Sequence, residues 1–201
     1  MRIGWAVSSV LVAAAVVGVV VWSSRQSSRT VPVASGERAM QTITLKSSAF
    51  AHDGMMPKQF TCDADDRSPP LELFGVSAKA KTLALIMHDP DAPRAGGWTH
   101  WVRFNIPVNG NVAQVESSKV TSLKFEEGKE PEGAAGSGTG GNATYRGPCP
   151  PSGTHRYFFT VYALDAELSP KEGATKAEVE QAMEGHVLGK GELIGLYSRK
   201  Q

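Results

Sequence analysis

The alternating segment from His155 to Leu164 constrains the fold of this chain more than any other feature. Successive side chains of an extended strand point to opposite faces of a sheet. His155 and Tyr157 would then point to one face together with Phe159, Val161 and Ala163. The segment follows a loop stiffened by prolines at positions 148, 150 and 151. We therefore predict a long, largely buried strand that presents His155 and Tyr157 side by side.

A second segment repeats this design earlier in the chain. An apolar run, Thr82–Met87, ends in His88 and Asp89, which places Asp89 at the end of a strand. Prolines at 90 and 93 restrict the backbone on both sides of Asp91 and hold that carboxylate stiffly. The run from His100 to Ile106 predicts the next strand.

The polar residues at these junctions predict a small pocket. They are two histidines, His100 and His155, the Tyr157 hydroxyl, and the carboxylates Asp89 and Asp91. Imidazolium and phenol groups are donors that suit an oxyanion. A carboxylate repels a phosphate unless it pairs with a histidine or meets the ammonium group of a zwitterionic ligand. We therefore expect a ligand such as a phosphoethanolamine head group, and we expect Asp89 to raise the pKa of His100 or His155.

The two segments carry a family resemblance. Asp-Pro-Asp-Ala-Pro at 89–93 with Trp-Thr-His-Trp at 98–101, and Gly-Pro-Cys-Pro-Pro-Ser-Gly-Thr-His-Arg-Tyr at 147–157, resemble the two signature blocks of the phosphatidylethanolamine-binding protein family. The bacterial branch that is often called Raf kinase inhibitor-like is the more similar one. Residues 60–63, 68–71 and 158–165 also agree, so the resemblance covers about residues 42–197.

The resemblance implies a fold and a site. The fold is mainly β, an antiparallel Greek-key β-sandwich with a few short helices and an anion pocket at one end of the sheet. The family's polar pocket residues fall on Asp89, His100, His155 and Tyr157, and its pocket walls fall on Asp91, Trp98, Gly147 and Pro148. Without the resemblance, Trp98 and Trp101 would be packing residues, because aromatic side chains dominate core burial. The stretch at 140–148 is shorter than in relatives, so we expect a different outer rim.

Residues 1–22 form a separate segment at the front of the chain. Ile3–Trp22 has no charged residue and is long enough to cross a bilayer. We predict an uncleaved membrane anchor at 1–22, a polar linker at 23–40 and a single domain at 41–201. The alternative is a signal peptide and a secreted domain. Either arrangement predicts a domain outside the cytoplasm, membrane-anchored and periplasmic in the first case. Beyond residue 30, 18 basic and 20 acidic residues leave no basic patch for nucleic acid.

The two cysteines, Cys62 and Cys149, give a further hypothesis. An exported domain with an even number of cysteines favours a disulfide, and Cys149 lies within the pocket loop. A bridge to Cys62 would make that loop rigid. The alternative is two buried thiols.

The remaining patterns concern local structure. Thr175 and Glu178 form a capping-box pattern ahead of a helical apolar stripe that extends to Val187. Gly189 and Gly191 are expected to end this helix, and Glu192–Ser198 is expected to be the last strand. Residues 109–142 lack periodicity and predict a long mobile loop. Arg156 alternates with the pocket face, so we expect it to form a structural ion pair, and His186 is expected to lie outside the site.

Three classes of function fit these residues. The first is a non-catalytic protein that binds a phosphate-bearing small molecule or lipid head group and regulates a kinase or protease. The second is an envelope interaction protein with a vestigial pocket. The third is a phosphoester hydrolase in which His100, His155 and Asp89 hold a metal or act as acid and base. The chain has neither a Gly-x-Ser-x-Gly elbow nor a Walker loop, which favours the first class, and it implies no cofactor or resident metal. The protein partner and a homodimeric state stay open.

Overall fold

The computed structural model describes residues 40–108, 115–116, 119–120 and 122–199. These residues lie in a compact unit that spans Glu37–Gln201. The predicted anchor at 1–22 and nearly all of the predicted linker at 23–40 lie outside the described residues. Across the part of the chain that is described, no helix combines the length and the apolar character needed to cross a bilayer.

Twelve strands, one 3-10 turn and one α-helix make up the described fold. In chain order they are β1 (Gln41–Thr42), β2 (Thr44–Lys46), β3 (Gly54–Met55), the 3-10 turn Lys58–Phe60, β4 (Leu71–Phe74), β5 (Thr82–Asp89), β6 (Trp98–Pro107), β7 (Val115–Glu116), β8 (Lys119–Val120), β9 (Ser122–Phe125), β10 (Ala134–Ala135), β11 (Thr154–Leu164), α1 (Lys176–Met183) and β12 (Val187–Ser198). The prediction of a mainly β chain with few helices is confirmed.

The strands form one large sheet, one small sheet and one separate pair. The large sheet has the order β1-β12-β11-β5-β6-β10, with β3 beside β12. The small sheet has the order β2-β4-β9, and β7 pairs with β8. Two antiparallel strand pairs, β5–β6 and β11–β12, lie side by side in the large sheet because β11 pairs with β5. This pairing brings the starts of β6 and β11 next to the end of β5.

The antiparallel prediction holds except at two short edge strands. β1 and β3 both pair in parallel with β12. Each of them is separated from β12 by more than 130 residues, so no hairpin turn fixes their direction. The described sheet is therefore mixed at this edge and antiparallel elsewhere.

Two hydrophobic clusters cover both faces of the large sheet. One cluster lies between the sheets and joins Leu73 and Leu123 of the small sheet to Leu85 and Phe159 of the large one. The other cluster packs Ile86 and further side chains of β5 and β6 against α1. β5 and β11 contribute side chains to both clusters, because successive side chains of a strand point to opposite faces of the sheet.

Two predictions about local structure need correction. Residues 109–142 contain the strands β7 to β10 instead of only a loop: β7 pairs with β8, Leu123 and Phe125 alternate inward on β9, and β10 pairs with β6. The second correction concerns the glycines that were expected to end the helix. α1 ends at Met183, and both glycines lie within β12.

The glycines are needed at these positions because β1 and the residue after it approach β12 closely. A Cβ atom on Gly189 would lie 2.7 Å from the Gln41 carbonyl oxygen, and one on Gly191 would lie 2.5 Å from that of Ile43. The start of the helix was predicted correctly. Thr175 accepts a hydrogen bond from the Glu178 backbone N–H, and Glu178 accepts one from that of Thr175.

Candidate functional site

Asp89 and His155 form a buried pair at one end of the large sheet. Asp89 is the last residue of β5 and is 3% exposed, and His155 lies at the start of β11 and is 7% exposed. Asp89 Oδ2 lies 2.8 Å from His155 Nδ1, and Oδ1 accepts a hydrogen bond from the Asp91 backbone N–H at 2.8 Å. Both carboxylate oxygens are therefore engaged, and His155 Nε2 is the ring nitrogen left over for a ligand.

His100 is the second buried imidazole. It lies on β6, is 5% exposed, and its Nδ1 lies 2.8 Å from the Arg146 carbonyl oxygen. Burial lowers the pKa of His100, although the Arg146 carbonyl and the Asp89 carboxylate act in the opposite direction. Asp89 thus acts on the pKa of His100 in the expected direction, but loss of water around the ring outweighs the carboxylate and leaves the pKa of His100 below its ordinary value. The part of that prediction that concerns His155 stays a prediction.

Tyr157 lies behind the two imidazoles. Its ring stacks on that of His155 with centroids 6.4 Å apart and meets the edge of His100 at 5.3 Å. Its hydroxyl is buried and forms no hydrogen bond of normal geometry with the described residues. Burial and the Asp89 carboxylate raise the pKa of Tyr157, so the phenol is a donor.

Asp91 binds Arg156 instead of facing the two imidazoles. Asp91 accepts hydrogen bonds from the Arg156 backbone N–H and Nε at 2.9 Å each and from Nη2 at 2.7 Å. These bonds fasten the loop after β5 to the start of β11. Arg156 is thus the structural ion-pair residue that the alternation of the strand predicted, and Asp91 supports the pocket from outside.

We predict an acid-sensitive contribution from this pair. The hydrogen bonds from Arg156 lower the pKa of Asp91 to about 2 from an ordinary value of 3.8. A lowered folded-state pKa stabilises the fold above the ordinary value, and this stabilisation is lost as pH falls through about 2. Asp91→Asn should therefore lower the free energy of unfolding by about 1 kcal/mol at neutral pH, since the partly exposed pair is screened by water. Urea unfolding across this acid range would check it; a difference from wild type that does not shrink toward low pH would contradict it.

The loop that carries Gly147 and Pro148 is held by the segment at 60–66. The Gly147 N–H donates to Asp66 Oδ1 at 2.6 Å, and the Tyr145 hydroxyl donates to the Phe60 carbonyl at 2.7 Å. A Cβ atom at position 147 would lie 2.4 Å from the Phe60 carbonyl oxygen, so only glycine fits this contact. The expected disulfide between Cys62 and Cys149 is present and joins the same two segments.

These elements enclose a cavity of about 390 Å³. Its walls are Asp89, Ala92, Pro93, Arg94, Trp98, His100, Arg146, Gly147, Cys149, Pro150, Pro151 and His155. Five of the eight predicted ligand-binding residues line it directly. Tyr157, Pro148 and Asp91 do not, and they support the lining residues from behind.

Two lining residues, Arg94 and Arg146, were missed by the sequence argument. Within the described residues neither guanidinium forms an ion pair with a carboxylate, and the guanidinium of Arg94 lies 5.4 Å from the Trp98 ring centroid. Each arginine adjoins one of the two signature blocks in sequence, directly after Pro93 or directly before Gly147. This position beside the two blocks is the signal in the sequence that predicts their place at the pocket loops.

The two tryptophans have different surroundings. Trp98 is half-buried and lines the cavity, whereas Trp101 is fully buried and donates from Nε1 to Glu130 Oε2 at 2.7 Å. Packing is therefore the role of Trp101, and Trp98 forms a pocket wall. In the described part of the chain, no group of three or more His, Cys, Asp or Glu side chains is arranged to hold a metal ion.

His186 lies away from this cavity. Its Nδ1 lies 2.9 Å from Asp165 Oδ1, and the His186 side chain is about half exposed. It follows the helix at the end of the domain and is not among the cavity walls.

Comparison with known proteins agrees with this architecture. A sequence model described as phosphatidylethanolamine-binding protein matches residues 46–198. The "UPF0098 protein" of Methanothermobacter thermautotrophicus is 49% identical over 158 residues, which cover 78% of this chain and 99% of the relative.

Two of the solved structures that share this fold come from bacteria. A phosphatidylethanolamine-binding protein homologue from Chlamydia trachomatis aligns with a TM-score of 0.68 at 37% identity, over 79% of this chain and 99% of that one. E. coli YbcL, described as a member of the mammalian family of these proteins, aligns with a TM-score of 0.67 at 27% identity over the same shares of each chain. The chain therefore belongs to the phosphatidylethanolamine-binding protein family.

Proposed function

We propose that this chain is a non-catalytic binding protein whose cavity holds the phosphate group of a small phosphate-bearing ligand, such as a phosphoethanolamine-like head group. One observation carries the proposal: Arg94 and Arg146 line the cavity without a carboxylate partner among the described residues. Guanidinium groups bind phosphate through paired charge-assisted hydrogen bonds. A free anion would provide the partner that these arginines lack.

The charge of Asp89 does not oppose this proposal. Its two oxygens already accept hydrogen bonds from His155 and from the Asp91 backbone. The carboxylate at the base of the cavity is thus shielded by its own partners, while the arginines lie at the exposed rim. Trp98 and the rings of Pro93, Pro150 and Pro151 supply apolar walls for the part of the ligand beyond its phosphate.

The residues that line the cavity favour binding over catalysis. His155 and Asp89 resemble the base and orienting acid of a hydrolase, but such a pair acts on a nucleophile. The cavity walls include no serine or threonine, and Cys149 is held in the disulfide. Membrane attachment through residues 1–22, a location outside the cytoplasm and regulation of a kinase or protease belong to the same proposal and rest on the sequence alone.

A calorimetric titration tests the arginines directly. Arg94→Ala combined with Arg146→Ala should weaken binding of phosphoethanolamine and inorganic phosphate by about 10-fold or more, because two charge-assisted contacts at a hydrated rim are lost. Lys79→Ala is the matched control, since Lys79 precedes β5 at the end of the strand opposite Asp89. Equal weakening by both variants would contradict the proposal. No binding by folded wild-type protein would favour the interaction role instead.

A further inference from the structure

The first described strand lies at the end of the large sheet that is opposite the cavity. Gln41 of β1 pairs with Gly189 of β12, and Gly189 pairs with Ala163 of β11. Ala163 in turn pairs with Leu83, which is the second residue of β5. Asp89, the last residue of β5, is a wall of the cavity. The extended strand from Leu83 to Asp89 is about 20 Å long, so β1 and the cavity lie at opposite ends of the sheet.

Two exposed apolar side chains lie at the same end as β1. Met40 directly precedes β1 and is 58% exposed, and Phe74 ends β4 and is 36% exposed. A hydrogen bond of 2.7 Å from Gln41 Nε2 to the Gly75 carbonyl oxygen joins these two segments. Across the described residues, Met55 is the only other large apolar side chain that is exposed. An exposed apolar patch with a polar rim is typical of a surface that contacts a protein or a membrane.

Three lysines border these apolar side chains. Lys46 Nζ lies 5.8 Å from the Phe74 ring centroid, and Lys79 and Lys81 lie in the loop that joins β4 to β5. All three lysines are exposed, and none of them forms an ion pair within the described part of the chain. Glu72 is the only carboxylate in β2, β4 and β9, and it is already paired with a lysine of β9 at 2.9 Å. The patch is therefore apolar at its centre and cationic around it.

The part of the chain ahead of Met40 favours a bilayer as the partner of this patch. Within residues 1–39, Ile3–Trp22 is apolar and uncharged over a length that can cross a bilayer. Only the short linker separates this stretch from β1. Anionic head groups attract lysines, and exposed apolar side chains insert at the level of the head groups. An anionic bilayer is thus complementary to the patch in both charge and polarity.

We propose that the surface formed by Met40, Lys46, Phe74, Lys79 and Lys81, here called the Phe74 surface, docks on the head groups of an anionic bilayer. Docking turns the anion cavity away from that bilayer, because the cavity lies at the other end of the sheet. Ligands therefore reach the cavity from the aqueous side. This inference rests on the membrane attachment that is part of the proposed function, and it does not depend on anion binding by the cavity.

The test is lysine acetylation, followed by mass spectrometry, of the full-length chain in lipid nanodiscs. One set of discs contains only phosphatidylcholine, and in the other set about a third of the lipid is phosphatidylglycerol. Acetylation of Lys46, Lys79 and Lys81 should be about 5-fold slower in the anionic discs, because the docked lysines face the head groups. Lys58 is the internal control, since it is exposed and lines a surface pocket that shares Pro151 with the anion cavity. Its acetylation should be equal in both sets.

The outcomes separate docking from attachment. Equal acetylation of the three lysines in both sets of discs would overturn the docking surface and leave membrane attachment and the anion cavity intact. Equally slowed acetylation of Lys58 would overturn it as well, because the protection would not be confined to one end of the sheet. A chain that does not copurify with phosphatidylcholine discs would overturn the attachment and, with it, this inference, whereas the anion titration would be unaffected.

Charge reversal tests the Phe74 surface at a single exposed position. Lys79→Glu should bring the acetylation rate of Lys46 in anionic discs to within about 2-fold of its rate in phosphatidylcholine discs, because an attraction is replaced by a repulsion. Lys58→Glu is the matched control, since it makes the same change of charge at the other end of the sheet and should leave the protection of Lys46 unchanged. Equal loss of protection in both variants would assign the effect to net charge and overturn the docking surface.

Discussion

Replacing Asp89 with alanine is expected to lower the free energy of unfolding by about 3 kcal/mol and to abolish anion binding. Removing one partner of a buried hydrogen-bonded pair leaves the polar group of the other partner unsatisfied in the interior. Here the loss would leave both the His155 ring and the Asp91 backbone N–H without their acceptor. Chemical denaturation gives the first quantity and calorimetric titration of the variant gives the second.

A double-mutant cycle isolates the contact between the two side chains. His155→Ala alone and the Asp89→Ala/His155→Ala double variant should show a coupling free energy of about 1 to 3 kcal/mol. The matched control is His186→Ala, which removes a similar contact at 2.9 Å to Asp165 where the His186 side chain is 48% exposed. His186→Ala should lower the free energy of unfolding by less than about 1 kcal/mol. If loss of the buried Asp89–His155 contact lowered the free energy of unfolding no more than His186→Ala does, burial would not strengthen this contact.

Removing the disulfide should have the second large effect. The Cys62–Cys149 bridge joins residues 87 positions apart, so in the chain-entropy account the Cys62→Ser/Cys149→Ser variant should lose about 4.5 kcal/mol of stability. The cause is greater freedom of the unfolded chain, not a change in the folded cavity. Chemical denaturation of wild-type protein and of the variant, with and without a reducing agent, measures this loss. Once its disulfide is reduced, wild-type protein should have the same free energy of unfolding as the variant.

The same variant should bind anions nearly as well as wild type while it is folded. The pocket loop is still held by the Gly147–Asp66 bond, by the Tyr145–Phe60 bond and by the Cys62 backbone N–H, which donates to the Pro148 carbonyl at 3.1 Å. The variant should thus lose stability without losing affinity for anions. A variant that loses affinity by more than about 10-fold under folding conditions would show that the disulfide itself shapes the cavity.

Local sequence patterns predicted much of the fold and half of the geometry of the site. Period-two alternation placed His155 and Tyr157 on one face of β11, and both are buried next to each other. The capping box located the start of α1. The apolar run Thr82–Met87 placed Asp89 at the end of a strand, where it lies in the structure. These features depend on residues close to each other in the chain, which is why a pattern can predict them.

The predictions that failed depend on distant partners. Gly189 and Gly191 read as helix breakers because their neighbours in sequence gave no hint that the backbone around β1 would approach β12. The strand β9 was not predicted, because an alternating pattern of four residues with only two inward side chains is too short to indicate a strand. Its pairing with β4 is what makes it one. In both cases a segment far away in sequence decided the outcome.

The sequence by itself determined the long strands β5, β6 and β11, the faces that their residues share and the polar groups at the loop junctions. Only the tertiary structure decided what those groups do. Asp91 binds Arg156 outside the cavity, Arg94 and Arg146 line its walls, and His100 donates to a carbonyl 46 residues away. The physical reason is that backbone conformation follows local preferences, whereas the charge state and hydrogen-bond role of a side chain depend on burial and on partners that the fold brings from elsewhere.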